Sequence, residues 1–268
     1  RNVPMKTYDP SEEFLLEFAK DYETVSAYLD DTIAWLSEDI VGLDAIFGPS
    51  AMMSLIHRVQ LDLSGADLSF TAPLSLTAKL KQGPVLVSDL FKLYRFENML
   101  YSMELSGAEI DDFLEHAAGI WFNRMNGRED HLLQFDPENP GRLANPYYNF
   151  SSAAGIKYQI DVSKAAGDRV DILEFTNGRP FNEAESYQVA INSYRGNGGG
   201  GHLTRGAGIP AEDLARRISW STDKDLRYYL MQHLSDMDTV QTNILYNWNI
   251  VPQEWVEKAR ENDLKYFN

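Results

Sequence analysis

The sequence predicts an α/β chain of the α+β type, with mixed β-sheets covered by helices. Apolar residues at helical spacing dominate the first 60 positions, and apolar strands separated by turn signals dominate residues 156–191. Helical patterns return after Pro210. Helices, then strands, then helices are not a regular βαβ winding, so the sheet they imply is mixed. The 268 residues, 44% hydrophobic and 12% aromatic, are enough for one large domain or two small ones.

Asp9-Pro10-Ser11-Glu12 reads as a helix start, with Asp9 as N-cap and Glu12 reaching back. Phe14, Phe18, Tyr22, Val25, Leu29, Ile33 and Leu36 then recur every three or four residues and predict one long amphipathic helix, packed on the domain or serving as a linker. Residues 1–48 are therefore read as an N-terminal amphipathic helical segment and 49–268 as the domain proper. Ser50 caps a second helix through about Leu61, ended by Ser64-Gly65, and Ala66–Phe70 reads as a short strand. Gly83-Pro84 opens another strand, and Ser88-Asp89 caps a short helix from Leu90 to Tyr94.

Met99, Tyr101, Met103 and Leu105 alternate as a half-buried strand. Ser106-Gly107-Ala108-Glu109 is a capping box, so Ile110, Phe113, Leu114 and Ala117 form the buried side of the next helix. Residues 119–150 are broken by Gly127, Pro137, Pro140, Gly141 and Pro146 into a long irregular segment. A β-rich stretch follows, from Ile156 to Val162, from Val170 to Phe175, and from Tyr187 into Tyr194, with turns at Gly167-Asp168 and Asn177-Gly178. Helices are predicted at Ala211–Ile218, at Ser221–Leu234 and after Pro252.

A net charge of −16 argues against a nucleic-acid polymer as partner, since such binders carry a basic face. A small anionic ligand needs only a few arginines gathered locally. With no cysteine, disulfides, thiolate metal sites and a thiol nucleophile are excluded together. No apolar run is long enough to span a bilayer, and no charged-then-apolar leader opens the chain. The five histidines, His57, His116, His131, His202 and His233, fall in no H-x-H or H-E-x-x-H setting, and there is no Gly-x-Ser-x-Gly elbow.

The distinctive stretch is Asn192-Ser193-Tyr194-Arg195-Gly196-Asn197, which leads into Gly198, Gly199, Gly200 and Gly201. Four consecutive glycines are entropically costly in a packed domain, so a ligand site competes here with a plain surface loop. Gly196-x-Gly198-x-x-Gly201 satisfies a dinucleotide fingerprint on paper, but that reading requires a helix opening at Gly198. Phe96 and Tyr194 each end an ordered element and are flanked by Asn and Arg. Each is either core or one wall of a clamp for a flat heterocycle, with Arg95, Arg195 and Arg205 as the anion-handling groups.

Taken together, several motifs resemble the C-terminal substrate-binding domain of the 5'-nucleotidases and 2',3'-cyclic-nucleotide 2'-phosphodiesterases. They are Ala66-Asp67-Leu68-Ser69-Phe70-Thr71-Ala72-Pro73-Leu74, the run from Asp89 through Tyr94-Arg95-Phe96-Glu97-Asn98 to Leu100, Leu105-Ser106-Gly107-Ala108-Glu109-Ile110, Tyr147-Tyr148-Asn149-Phe150, Gly155–Lys164, Gly167–Val170, and the Asn192–Arg195 corner with its glycines. The resemblance spans roughly residues 50–205. It implies that Phe96 and Tyr194 clamp a nucleobase, that Asn192, Ser193, Arg195 and Asn197 surround base and ribose, and that Gly198 and Gly199 let the backbone approach.

The nucleotidase branch has a phosphate-binding Arg where this chain has Leu74, and an Asp where it has Gly200, so the resemblance is closer to the cyclic phosphodiesterase branch. In the family the chemistry belongs to an N-terminal metallophosphoesterase domain holding two divalent metals, and nothing in this chain resembles it. The resemblance thus implies a nucleoside- or nucleotide-recognition domain without catalytic residues or cofactor of its own. It would work with a separate or N-terminal metallophosphoesterase domain, in a periplasmic or cell-surface setting. The other reading is a non-enzymatic interaction module that has kept the fold.

Overall fold

The computed structural model describes residues 8–267. Helix α1 (Glu12–Leu29) is capped by Ser11 rather than Asp9, the Ser11 hydroxyl accepting from the Phe14 N–H at 3.1 Å. It stops seven residues short of the expected end. Asp30 and Asp31 follow, at the carbonyl-rich terminus where negative charge is unfavourable, and Thr32-Ile33 prefer an extended backbone. Ile33 and Leu36 therefore belong to strand β1 (Thr32–Leu36), which buries Ala34 and Leu36.

No residue of α1 is fully buried, though its last turns touch the body, the Tyr28 hydroxyl donating to Met231 Sδ at 3.6 Å, whereas Leu36, Ile40, Ala45 and Ile46 are core. Within 1–48 the helix is thus largely exposed, and residues from Ala34 onward enter the core. The first seven residues of that segment lie outside the described residues.

After the short β2 (Ile40–Val41), Ser50 caps α2 (Ala51–Ser64) as expected, and Gly65 ends it in the left-handed conformation. The chain then lays down β3 (Leu68–Thr71), β4 (Lys79–Leu80) and β5 (Gly83–Leu86). Helix α3 (Val87–Leu93) begins one residue before Ser88. Asp89 serves it not as the cap but from the first turn, accepting from the Leu86 N–H at 3.0 Å.

Strand β6 (Leu100–Ser106) enters α4 (Gly107–Trp121) through the expected capping box: Ser106 Oγ accepts from the Glu109 N–H, and the Glu109 carboxylate accepts from the Ser106 N–H. An irregular run leads to β7 (Ser152–Ala154), β8 (Ile156–Asp161), β9 (Val170–Phe175) and β10 (Ser186–Asn192). A single turn α5 (Ser193–Gly196) and β11 (Ile218–Ser221) precede α6 (Leu226–Ser235), and β12 (Trp248–Val251) precedes α7 (Gln253–Asp263).

Strands β11 and β12 were not expected, and 211–217 winds as a tight 3-10 helix rather than an α-helix. The second of the late helices starts at Leu226 under an Asp225 cap, not at Ser221.

The central sheet has the order β11-β6-β10-β3-β7, and only the β10–β3 pair is parallel. A second sheet, β12-β8-β9, is likewise mixed, its β12–β8 pair being parallel. Alternation along β10 supplies two cores. Val189 and Ile191 face the cluster built on α4, where Phe70 stacks on Phe113 at 3.9 Å and Trp121 donates to the Ile46 carbonyl at 2.9 Å. Ala190 faces the other cluster, with Met52, Ile56, Leu90, Leu226 and Leu230 from α2, α3 and α6. Helices thus cover both faces of the central sheet, and the C-terminal end of β10 emerges between them carrying Asn192-Ser193-Tyr194-Arg195.

Candidate functional site

Two backbone hydrogen-bonding groups of one residue hold this corner against the loop after α3. The Met99 N–H donates to the Ser193 hydroxyl at 3.1 Å, and the Ser193 N–H donates to the Met99 carbonyl at 2.8 Å. The Asn98 carbonyl is fixed from the far side by the Leu226 N–H at 2.8 Å. Phe96 and Tyr194, nearly a hundred positions apart in sequence, are by this means set on one cavity. It has a volume of about 330 Å³ and is lined by Leu74, Phe96, Asn98, Tyr148, Asn192 and Tyr194. Its lining contains no ionised side chain.

Tyr194 is 44% exposed, unusual for a large aromatic in a well-packed region, while Phe96 is half-buried with the Tyr148 ring edge-on to it at 6.1 Å. Asn192 accepts from the Arg195 N–H through Oδ1 at 2.9 Å, capping α5. Asn98 Nδ2 donates to the Tyr94 hydroxyl at 3.5 Å, and burial pushes the Tyr94 phenol well above its ordinary pKa.

The glycines do not open a regular α-helix. Gly199–Gly201 form one 3-10 turn, and His202–Gly206 a single wide turn of the π type, so the dinucleotide reading ends here. Two of the glycines have identifiable physical reasons. A Cβ on Gly199 would stand 2.6 Å from the Tyr194 ring; one on Gly200, whose φ is +72°, would stand 2.0 Å from Arg195 Nη1. These two glycines make room for the Tyr194 ring and the Arg195 guanidinium.

Arg195 is 3% exposed and turned inward. Its guanidinium donates to the Gly199 carbonyl at 2.6 Å, the Tyr148 carbonyl at 2.9 Å and Asn149 Oδ1 at 3.2 Å, clipping the 3-10 turn at Tyr147–Asn149 to the glycine loop. Burial lowers its pKa to about 10. Arg205 donates to the Gly200 carbonyl at 3.2 Å. Of the three arginines expected to handle an anion, Arg195 is spent on loop acceptors, while Arg205, with its one hydrogen bond, and Arg95 are both exposed.

Beneath the loop His202 Nε2–H donates to the Asn149 carbonyl at 2.9 Å, and burial pushes this imidazole down to about 2. The His116 ring meets it edge-on at 4.9 Å. Of the sequence-derived site residues, Phe96, Asn192 and Tyr194 line the cavity. Ser193 and Arg195 brace it, Gly199 underlies Tyr194, and the exposed Asn197 and half-buried Gly198 are not among its lining residues.

Leu74, Asn98 and Tyr148 were not anticipated as lining residues. The only signal for them was their presence in the quoted motifs, since no periodicity brings residue 148 to residue 96. A larger cavity, of about 580 Å³, lies elsewhere around Phe47, Thr242 and Tyr246, but its carboxylates are engaged: Asp44 with Arg260 at 2.9 Å, Asp39 with Lys81 at 2.7 Å, and Glu38 accepting from the Thr242 hydroxyl at 3.5 Å. Among the described residues no three His, Asp or Glu side chains gather as a metal-binding set. No helix among them is long and apolar enough to cross a membrane.

Residues 35–205 match the sequence profile of the family described as 5'-nucleotidase, C-terminal domain. Among curated proteins the chain is similar to the trifunctional nucleotide phosphoesterase protein YfkN of Bacillus subtilis (28% identical, 68% of this chain, 12% of that protein). It is also similar to a 2',3'-cyclic-nucleotide 2'-phosphodiesterase/3'-nucleotidase of Salmonella typhimurium (29% identical, 45% of this chain, 20% of that protein). A 5'-nucleotidase precursor from Thermus thermophilus has the same fold, with a TM-score of 0.65 at 21% identity over 91% of this chain and 44% of that one. The chain spans less than half the length of each of these relatives. The profile covers the central sheet from β3 to β10 and every residue of the aromatic cavity, so the chain belongs to the 5'-nucleotidase C-terminal domain family.

Proposed function

We propose that this chain is the nucleoside- or nucleotide-recognising domain of a metal-dependent phosphoesterase acting on 5'-nucleotides or 2',3'-cyclic nucleotides. The carrying observation is that Phe96, Asn192 and Tyr194 line one uncharged cavity in which aromatic rings and carboxamide edges are the available recognition groups. Aromatic rings hold a base by stacking, worth about 1–3 kcal/mol per contact, and the two amides offer donors and acceptors to its edge. Ser193, Arg195 and Gly199 act by positioning the clamp; Asn197 and Gly198 lie outside its lining. Hydrolysis, and the two divalent metals for it, would come from a separate or N-terminal metallophosphoesterase domain, and no step of it is assigned to this chain. We place the protein in the periplasm or at the cell surface, which fractionation of the producing cell checks.

The test is a thermal-shift titration with adenosine, its 2',3'-cyclic and 3'-phosphates, and the guanosine and uridine counterparts. A shift that grows with ligand concentration, and that Tyr194→Ala weakens about tenfold or more in apparent affinity, is the expected result. Turnover of a 2',3'-cyclic nucleotide by the pure, metal-loaded chain would sink the assignment of catalysis to another domain.

A second reading, a non-enzymatic interaction module, is favoured by α1 alone, whose Phe14, Leu16 and Tyr22 are all more than half exposed. It wins if Phe96→Ala and Tyr194→Ala change no ligand response while partner association persists.

A further inference from the structure

The clamp cavity has no charge of its own, but residues next in sequence to two of its walls line a groove that carries a lysine and an arginine and no carboxylate. This groove has a volume of about 430 Å³ and is lined by Ser75, Thr77, Ala78, Phe91, Lys92 and Arg95. The two spaces adjoin in sequence at both walls. Leu74 lines the first and Ser75 the second; Phe96 lines the first and Arg95 the second. The Arg95 guanidinium carbon lies 5.8 Å from the centre of the Phe96 ring.

We propose that this groove is an anion subsite that takes the phosphoryl group of a ligand whose base sits on Phe96 and Tyr194, a proposal that rests on the base-clamp reading above.

The charge balance around the groove favours an incoming anion. Arg95 makes no hydrogen bond and no ion pair with any described residue, although the chain carries 40 carboxylates against 24 lysines and arginines. Its neighbours are compensated. Asp89 holds Lys92 at 2.7 Å, and Arg227, over the Phe91 ring at 4.3 Å, is shared between Glu97 at 3.3 Å and Asp225 at 3.7 Å. Arg95 is therefore the local cation whose charge is unspent.

The donors also suit a phosphoryl group. A guanidinium presents a planar fork to two oxygens, and the Ser75 hydroxyl, on a residue 7% exposed, makes no hydrogen bond within the described residues. Thr77 and Lys92 add a second hydroxyl and an ammonium on the same walls. With Leu74 aliphatic and Arg195 buried on three acceptors, the exposed cation next in sequence to a cavity aromatic and free of hydrogen bonds among the described residues is Arg95.

The experiment is isothermal titration of the chain with adenosine and with adenosine 3'-phosphate at low ionic strength, for wild type, Arg95→Gln, Lys92→Gln and Tyr194→Ala. The wild type should bind the nucleotide about tenfold more tightly than the nucleoside, an advantage that shrinks as salt is added. Arg95→Gln should bring the ratio close to one and Lys92→Gln should reduce it less. Tyr194→Ala should weaken both compounds and keep the ratio. A ratio that survives in Arg95→Gln overturns the subsite, whereas a Tyr194→Ala variant that binds both compounds like wild type overturns the clamp instead. If neither compound binds, the Arg95 Nε–H resonance, assigned by its loss in Arg95→Gln, decides the subsite with inorganic phosphate. A phosphate-dependent shift supports the proposal, and its absence refutes it.

Discussion

Replacing Arg195 distinguishes a residue that holds the site together from one that touches ligand. In Arg195→Ala the Gly199 and Tyr148 carbonyls and Asn149 Oδ1 lose their donor together, in a region where the arginine is 3% exposed. A lost hydrogen bond to a charged group costs about 1.5–3 kcal/mol, so three of them set a gross loss of roughly 5–9 kcal/mol. Against this stands the relief of a buried charge with no carboxylate partner, which drives its pKa down to about 10. The net expectation is a loss of about 3–4 kcal/mol in urea unfolding.

Because the same bonds tie Tyr148 to the loop under Tyr194, nucleoside and nucleotide affinity should fall together, by about tenfold or more. Arg195→Lys should recover roughly half of the stability, since an ammonium keeps the charge but cannot reach all three acceptors. A variant that unfolds like wild type yet loses affinity only for phosphate-bearing ligands would refute the reasoning. It would return Arg195 to the anion-binding role suggested by its place in the sequence.

Acid should destabilise the fold through its buried imidazoles. Burial pushes His57 down to about 3 and His202 to about 2, so between pH 6.5 and 3 the unfolded chain binds protons that the folded chain refuses. Stability then falls with falling pH by about 1.4 kcal/mol per unit per histidine. Asp111, pushed up to about 6 by burial and by Glu115, works in the opposite sense between 3.8 and 6 and offsets about one histidine there. His57 bonds Ser69 and Ser152 at 3.0 and 3.2 Å, contacts an amide can take over, so His57→Gln should flatten the stability profile from pH 4 to 6; an unchanged slope in urea titrations would refute this. Deleting residues up to Leu29 should leave the unfolding midpoint within about 0.5 kcal/mol of the full chain, because α1 buries no residue and Asp31, which accepts from Val87, is retained. A loss of 2 kcal/mol or more would mean that the stripe packs on the body after all.

The fold was legible wherever a local signal and a tertiary need coincided. The Ser50 cap and the Ser106–Glu109 capping box work because the same residues that satisfy helix-end donors also start apolar stripes facing the sheet. Where one pattern serves two periods, the sequence misleads. Ile33 and Leu36 continue the stripe of α1 at helical spacing, yet Leu36 is also buried by β1 when that strand pairs with β5, a partner about fifty residues away. Strands β11 and β12 are four residues each and sit at sheet edges, where pairing with β6 and β8 makes them strands and no intrinsic periodicity announces them.

The site divides along the same line, and the division explains the arginines. Phe96 and Tyr194 could be read because an aromatic leaving an ordered element beside Asn is a local feature, and both line the cavity. Arg195 could not be assigned the same way. An arginine beside glycines suits an anion from outside and a set of loop carbonyls from inside equally well, and only the fold decides which acceptors arrive first. Here the turn at Tyr147–Asn149 brings two acceptors and Gly199 a third, which satisfies the guanidinium internally. Arg95 lies one residue from the other clamp aromatic, and no loop folds over it, so its charge stays available. Arginines beside the two cavity aromatics thus differ: the buried one is consumed in building the cavity, and the exposed one is the group our proposal assigns to the ligand.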